Sequence, residues 1–138
     1  MKILIMGLPG SGKTYLAERL APLIGAAWYN ADKVREMAND WDFTTKGRNR
    51  QALRMRTFAD FELTQSRMVI CDFICPTAKT RDHFKADLTI WMDTIKFSEF
   101  ADTNSIFEKP SMVDFHIKEW NEYNHIKIME YLKNTDTV

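Results

Sequence analysis

Residues 1–19 read MKILIMGLPGSGKTYLAER and contain the pattern that decides the fold. The four apolar residues at 3–6 predict a buried strand, because a strand covered on both faces is nearly all apolar. Residues 7–14, GLPGSGKT, match G-x-x-x-x-G-K-[ST] at every fixed position. From Tyr15 onward the residues favour a helix and place apolar side chains at helical spacing. The order strand, glycine-rich loop, helix is typical of a loop that binds phosphate groups.

The loop at 7–14 suits the phosphates of a nucleoside triphosphate such as ATP. Glycines allow the backbone to turn its N–H groups toward one anion, and the start of a helix adds positive potential. Lys13 is predicted to reach the β- and γ-phosphates, and the Thr14 hydroxyl to hold Mg²⁺. Glycine-rich turns also occur without a ligand, but here a strand and a helix flank the turn. We therefore expect ATP and Mg²⁺ to bind, with the triphosphate on Gly7, Leu8, Pro9, Gly10, Ser11, Gly12, Lys13 and Thr14.

Composition points to one small domain, residues 1–138, without a net charge. Nineteen basic and nineteen acidic residues cancel, so no overall field attracts nucleic acid or an anionic membrane. Cys71 and Cys75 lack zinc-binding spacing and are expected to be buried, reduced thiols. No apolar run approaches the ~18 residues of a membrane span, and Met1-Lys2 lead into a strand rather than a cleavable leader. These features predict a cytoplasmic protein without a membrane partner.

The rest of the chain alternates between strand-like and helix-like patterns. Strands are predicted at 3–6, 27–30, 68–73, 88–92 and 112–117, and helices at 12–24, 31–37, 43–61, 76–85 and 119–132. Strands separated by helices require a parallel sheet with right-handed crossovers. We therefore predict an α/β fold, a P-loop NTPase three-layer sandwich in which helices flank a five-stranded parallel sheet. The tryptophans at 28, 41, 91 and 120 are expected to be core or helix anchors.

Two aspartates follow predicted strands closely, at the edge where the ligands of a parallel sheet bind. Asp32 comes after the second strand and is a candidate base for the hydroxyl of a phosphate acceptor. The alternative is that Asp32 only caps the next helix. Asp72 ends the third strand and is a candidate for securing Mg²⁺ through water, against a purely structural hydrogen bond. Asp32 and Lys13 form the predicted catalytic set.

A cluster of basic residues follows the second strand in this otherwise balanced chain. Lys46, Arg50 and Arg54 repeat at i, i+4, where like charges repel unless an anion lies between them. Arginine binds phosphate and sulfate through a planar fork, so the cluster favours a small anionic acceptor, with a solvated helix face as the alternative. Phe43 is a candidate for packing on the acceptor's ring, although an isolated phenylalanine more often belongs to the core. The cluster comprises Arg35, Lys46, Arg48, Arg50, Arg54 and Arg56, and Lys79 and Arg81 are candidates to complete it.

Taken in order, these motifs resemble those of the adenylylsulfate kinase family. That family carries G-L-x-G-S-G-K-[ST], then D-G-D-N-[VI]-R, then F-x-x-x-x-R-x-x-N-x-x-R. It continues with I-S-P followed by an arginine five residues on, and with Y-E-x-P near the end. The similarity covers most of the chain, in register up to Asp93. The corresponding positions here are residues 7–14, residues 30–35, Phe43 with Arg48, Gln51 and Arg54, residues 74–76 with Arg81, and residues 107–110.

The resemblance implies a reaction and a set of site residues. The reaction moves the ATP γ-phosphate to the ribose 3′-hydroxyl of adenylylsulfate, with Mg²⁺ present and Asp32 as the base. Thr14, and Asp72 through a water molecule, are the expected ligands of the Mg²⁺ ion. The residues implied or suggested to bind the acceptor are Arg35, Phe43, Arg48, Gln51, Arg54 and Arg81.

The chain departs from the family pattern mostly at positions that concern the acceptor. The family forms a long lid after its fourth strand, and a lid excludes water and completes the charge clamp. Only residues 93–104 stand in its place here. Either the acceptor is larger and protrudes, or Lys96 and the arginines hold it alone. The substituted motif positions are Asn30 for Asp, Ala31 for Gly, Gln51 for Asn and Cys75 for Ser.

Three hypotheses follow from these observations. The first is an adenylylsulfate-kinase-like ATP phosphotransferase acting on adenylylsulfate. The second is the same kinase core acting on another hydroxyl, such as a nucleotide or a modified base in DNA, although a nucleic-acid acceptor is not favoured. The third is a nucleotide-binding regulator without kinase activity. A homodimer is compatible with each of them.

Overall fold

A computed structural model describes residues 1–135 of the chain. All five strands are parallel, and their order across the sheet is β2-β3-β1-β4-β5. The predicted α/β fold with a five-stranded parallel sheet is confirmed. The strands are β1 (Lys2–Met6), β2 (Ala27–Asn30), β3 (Val69–Asp72), β4 (Leu88–Met92) and β5 (Phe115–Ile117).

Helices cover both faces of the sheet and create two apolar cores. Side chains alternate along β1, so Ile3 and Ile5 join one core while Leu4 and Met6 join the other. The first core contains residues of α1 and α6, and the second contains residues of α3 and α4. The helices are α1 (Lys13–Ile24), α2 (Ala31–Ala38), α3 (Thr45–Thr64), α4 (Ala78–Phe84), α5 (Ala101–Ile106) and α6 (Asn124–Asn134).

Local sequence signals set several element ends as expected. Gly25 ends α1 in a left-handed conformation with φ of 64°. The Thr44 hydroxyl accepts the Gly47 N–H and caps α3, and Thr77 caps α4 in the same way. Cys71 and Cys75 are buried free thiols, as predicted. Among residues 1–135, no helix is long and apolar enough to cross a membrane.

The C-terminal third differs from the prediction. The fifth strand has three residues rather than six, and α6 begins at Asn124 rather than 119. Residues 118–123 do not join the helix because Trp120 packs on the phosphate loop, and because the Asn121 side chain accepts the Tyr123 N–H at 2.8 Å. The short helix α5 was not predicted, and it lies in the segment that replaces the family's lid.

Candidate active site

The loop at 7–14 follows the central strand β1 and leads directly into α1. Gly7, Gly10 and Gly12 all have positive φ, at 148°, 84° and 99°. A Cβ at Gly7 would lie 2.5 Å from the Met92 carbonyl oxygen and 2.8 Å from the Ser11 hydroxyl oxygen. No side chain fits there, so Gly7 lets the loop pass close to the end of β4. The loop therefore has the tight backbone that phosphate binding requires.

Lys13 begins α1 with its ammonium group inside the loop. Its Nζ donates a hydrogen bond to the Leu8 carbonyl oxygen at 3.0 Å. Burial lowers the pKa of Lys13 to about 8, and the carboxylates of Asp72 and Asp32 oppose that shift. An incoming phosphate would supply the missing negative charge and favour the protonated ammonium. This is the behaviour expected of a phosphate-binding lysine.

Asp72 lies next to Thr14 at the carboxyl end of β3. Its carboxylate is 3.5 Å from the Thr14 hydroxyl, and it accepts hydrogen bonds from Asn30 Nδ2 at 3.0 Å and Trp28 Nε1 at 2.5 Å. Burial raises the pKa of Asp72 to about 6. Trp28 thus holds the carboxylate structurally, while Thr14 and Asp72 still present the hard oxygen ligands that Mg²⁺ prefers.

The donor set suits Mg²⁺ bound together with phosphates. Residues 1–135 contain no group of three or more His, Cys, Asp or Glu side chains arranged to hold a metal alone. Magnesium is usually bound by one or two protein ligands together with substrate phosphates and water. Thr14 and Asp72 fit that mode.

The nucleotide-free protein is expected to lose stability as the pH rises from about 4 to about 6. The pKa of Asp72 is about 6 in the folded protein against 3.8 normally, so the folded state holds a proton that the unfolded chain releases in this interval. Linkage then lowers the free energy of unfolding by at most about 3 kcal/mol. Chemical denaturation across this interval measures the slope. Asp72→Asn should remove this dependence of the free energy of unfolding on pH. Equal slopes in the variant and the wild type would contradict the prediction.

Asp32 lies in the first turn of α2, and its side chain is exposed. The cap of α2 is Asn30, whose side chain accepts the Lys33 N–H at 3.0 Å. The alternative that Asp32 caps this helix is therefore wrong. Within residues 1–135 its carboxylate makes no hydrogen bond or ion pair, and it lines the same cavity as Lys13 and Thr14. An unpaired carboxylate in the cavity that the phosphate loop lines is placed where a general base could act.

A cavity of about 1000 Å³ joins the phosphate loop to the ends of β2 and β3. Its lining includes four of the residues predicted to bind the acceptor, Arg35, Phe43, Arg48 and Gln51. The Arg35 guanidinium stacks over the Phe43 ring at 4.3 Å and donates to the Asp40 carbonyl oxygen at 2.8 Å. Gln51 donates to the Ala31 carbonyl oxygen at 3.0 Å. The cavity thus combines a flat aromatic ring with fixed cations.

Arg54 does not line this cavity, although it was predicted to bind the acceptor. Its guanidinium bonds Asp40 at 2.7 Å, and Arg50 bonds the same carboxylate at 2.6 Å. These two arginines hold the pKa of Asp40 well below its usual range. The anion between the like charges on α3 is therefore a side chain of the protein. Arg54 thus links α3 to the segment that follows α2.

Arg81 is also outside the cavity lining. Its guanidinium donates to three backbone carbonyl oxygens, those of Cys75, Pro76 and Glu108. It therefore links the turn after β3 to the segment after α5. Arg54 and Arg81 were both predicted to bind the acceptor, and neither is part of the cavity lining.

Several cavity residues could not be identified from the sequence. Phe100, Asp102, Thr103 and Ile106 line the cavity from the segment that contains α5. Arg48 reaches this segment, with its Nη2 3.2 Å from Asp102 and 3.1 Å from the Thr103 hydroxyl. A six-residue helix has too few turns to show a clear apolar period. The segment that contains α5 is therefore folded and bonded to α3.

Trp120 also has a position that the sequence did not reveal. A Cβ at Gly12 would lie 2.7 Å from its Cη2 atom, and its ring is 4.6 Å from that of Tyr15 in an edge-on arrangement. The side chain is half exposed. Trp120 thus anchors residues 118–123 to the phosphate loop rather than to a core, which refines the predicted anchor role.

The sheet order and the glycine-rich loop after its central strand define the fold of the P-loop kinases. Solved structures of such kinases share the fold. An APS (adenylylsulfate) kinase from Mycobacterium tuberculosis, in complex with AMPPNP and APS, superposes with a TM-score of 0.76 at 17% identity, covering 96% of each chain. Shikimate kinase from Aquifex aeolicus gives 0.67 at 15% identity, covering 99% of this chain and 98% of that one. At these identities the likeness is one of fold.

The sequence defines the family more narrowly. The model of the adenylylsulphate kinase family matches residues 1–104, and the chain belongs to that family. A probable adenylyl-sulfate kinase from Aeropyrum pernix is 33% identical over 87 residues. That match covers 56% of this chain and 46% of the relative, so it spans less than half of the relative's length.

Proposed function

We propose that this protein transfers the γ-phosphate of ATP to the 3′-hydroxyl of adenylylsulfate. The observation that carries the proposal is the shared cavity, which Asp32 lines together with residues of the phosphate loop and with Phe43. Membership of the adenylylsulphate kinase family supports the same acceptor. The cavity volume of about 1000 Å³ also suits a nucleotide-sized ligand beside the phosphates.

Each residue has a defined part in the proposed transfer. Asp32 accepts the proton of the acceptor hydroxyl while the oxygen of that hydroxyl attacks the γ-phosphorus. A new O–P bond forms, the bond from the γ-phosphorus to the β,γ-bridging oxygen breaks, and ADP leaves. Lys13 and the loop N–H groups stabilise the charge on the transferred group. Mg²⁺, held by Thr14 and through water by Asp72, would neutralise phosphate charge.

Two exposed rings support a purine-containing acceptor. Phe43 is 46% exposed and Phe100 is 55% exposed, and both line the cavity from different segments. Large apolar side chains left open on a cavity wall are typical of a surface that a ligand covers. A flat base packs well against such rings. Arg48 lies 5.4 Å from the centre of the Phe43 ring and offers a planar fork for the anionic end of the acceptor.

Incubation with ATP, Mg²⁺ and adenylylsulfate tests the proposal directly. The expected products are ADP and the 3′-phosphorylated nucleotide, in equal amounts. Phe43→Ala and Phe100→Ala should each raise the KM for adenylylsulfate about ten-fold, with the KM for ATP unchanged, since stacking on an aromatic ring contributes about 1–3 kcal/mol. Tight ATP binding without formation of the 3′-phosphorylated product would refute this acceptor.

A second acceptor class is favoured by the balance of charges on the cavity wall. The acidic lining residues are Asp32, Asp72, Asp102 and Glu108, and the basic ones are Lys13, Arg35, Arg48 and Lys79. Such a wall also suits a less charged acceptor, such as a nucleoside or a modified base in DNA. Transfer of labelled phosphate to a panel of nucleosides, nucleotides and DNA distinguishes the classes. Faster turnover of any panel member than of adenylylsulfate would favour this alternative.

The need for ATP and for reduced thiols indicates the compartment of the proposed reaction. We place the reaction in the cytoplasm, where ATP is abundant and where thiols such as Cys71 and Cys75 stay reduced. The partners of the proposed reaction are small molecules. A measurement of the molecular mass in solution tests whether the protein forms a homodimer.

A further inference from the structure

An ion pair between α3 and α5 lies in the lining of the cavity. Arg48 Nη2 lies 3.2 Å from Asp102 Oδ2. Both residues line the cavity, and Arg48 is one of the cations available to an anionic acceptor. In the absence of an acceptor, the negative charge beside Arg48 is therefore a side chain of the protein.

The two partners of this pair are held very differently. The Arg48 side chain is 16% exposed and also donates to the Phe43 carbonyl oxygen at 2.8 Å and to the Thr103 hydroxyl at 3.1 Å. The Asp102 side chain is 70% exposed and has Arg48 as its one side-chain partner among residues 1–135. If the pair opens, the guanidinium is retained by its other bonds while the carboxylate moves into water.

Loss of the pair would leave α5 in place. Thr103 is 3% exposed and fixes the helix against the protein. Asn104 accepts the Ser98 backbone N–H and the Ser98 hydroxyl at 2.8 Å each, and donates to the Ser98 carbonyl oxygen at 2.9 Å. These contacts do not involve Asp102. The carboxylate is thus free to exchange without unfolding the segment that carries it.

We propose that Asp102 is an exchangeable counter-ion for Arg48 and that it sets the charge requirement for the acceptor. The inference rests on the proposed function, in which an anionic nucleotide binds beside Phe43. The anionic group of the acceptor replaces the Asp102 carboxylate at the guanidinium. A neutral acceptor offers no replacement, so Arg48 stays paired with Asp102. Asp102 is accordingly a specificity-determining residue that need not touch the transferred phosphate.

Binding measurements on Asp102→Asn test the exchange. The asparagine keeps the shape but removes the charge that competes for Arg48. Titration calorimetry with adenylylsulfate should show about two- to five-fold tighter binding, the fold-change that matches a partly exposed ion pair. Binding of ATP alone should not change. The matched control is Asp82→Asn, which removes one negative charge from an exposed site on α4 outside the cavity.

Measurements in the Arg48→Ala background separate competition for the Arg48 guanidinium from a general effect of removing a negative charge near the ligand. In that background Asp102→Asn should leave adenylylsulfate binding unchanged, because the cation for which the two anions compete is gone. An equal gain with and without Arg48 would overturn the proposal, as would unchanged or weaker binding to Asp102→Asn alone. Adenosine, which carries no anionic group, should bind the wild type and Asp102→Asn equally. A preference of Asp102→Asn for adenosine would also overturn it.

Failure of the proposed function gives a different pattern. Adenylylsulfate that binds but is not phosphorylated would refute the transfer reaction and leave the comparison of dissociation constants valid. If the wild type binds no adenylylsulfate, the proposed function and the counter-ion exchange both fail. Wild-type binding without a gain in Asp102→Asn refutes the exchange alone.

Discussion

Lys13→Met is expected to lower kcat by about 10²–10³-fold, the usual effect of removing one group that stabilises transition-state charge. The ammonium group lies inside the phosphate loop, where burial already lowers its pKa to about 8. Charge in such a site interacts strongly because little water screens it. Methionine keeps a similar unbranched stem and removes only the charge. The γ-phosphate would then bind without its main side-chain counter-ion.

Single-turnover kinetics with saturating ATP separate this effect from weaker binding. Lys46→Met is the matched control, because Lys46 is exposed on α3 and lies outside the cavity lining. The control should keep its full rate. Activity in Lys13→Met close to that of the wild type would overturn the assignment of residues 7–14 as the phosphate loop.

Asp32→Asn is expected to lower kcat by about 10²–10⁴-fold, the range for loss of a general base. Asparagine has the same shape but cannot accept the proton of the acceptor hydroxyl. The KM for ATP should stay nearly constant, since the phosphates are bound by the loop. Stability should change by less than about 0.5 kcal/mol, because the carboxylate is exposed and not bonded to the described part of the protein.

Paired measurements of kcat and Tm distinguish a catalytic role from a structural one. Glu36→Gln, one turn further along α2 and also exposed, is the matched control and should behave as wild type. A large fall in Tm that accompanies the fall in kcat would assign Asp32 a structural role. ATP consumption that is unchanged in Asp32→Asn and needs a protein partner would instead favour the regulator hypothesis.

Features fixed by local chemistry were predictable from the sequence. The loop at 7–14 requires glycine at strained positions, so its pattern is readable without a structure. The buried strands β1 and β3 appear as apolar runs because both of their faces are covered. The caps at Thr44 and Thr77 are also local. Together these signals gave the α/β class and the sheet edge at which Asp32 and Asp72 meet the loop.

Features fixed by distant partners were not predictable. The charges on α3 suggested an external anion, but Arg54 and Arg50 share the Asp40 carboxylate, which the fold brings back against α3. Arg81 had the sequence position of an acceptor-binding residue, yet backbone carbonyl oxygens occupy its guanidinium. Arg48 kept its place in the cavity but has a partner in Asp102. Which arginine is free for a ligand depends on these tertiary contacts.

The contact between Trp120 and Gly12 bears on what constitutes the smallest folding unit of this protein. The family match ends at residue 104, before β5, Trp120 and α6. Yet Ile128 and Leu132 of α6 are buried against α1 in one of the two cores, and Trp120 covers the glycine from which α1 begins. A fragment ending at residue 104 would expose that core and leave α1 without its outer layer. The phosphate loop at 7–14 therefore depends on a C-terminal segment, from β5 to α6, that carries none of the family motifs.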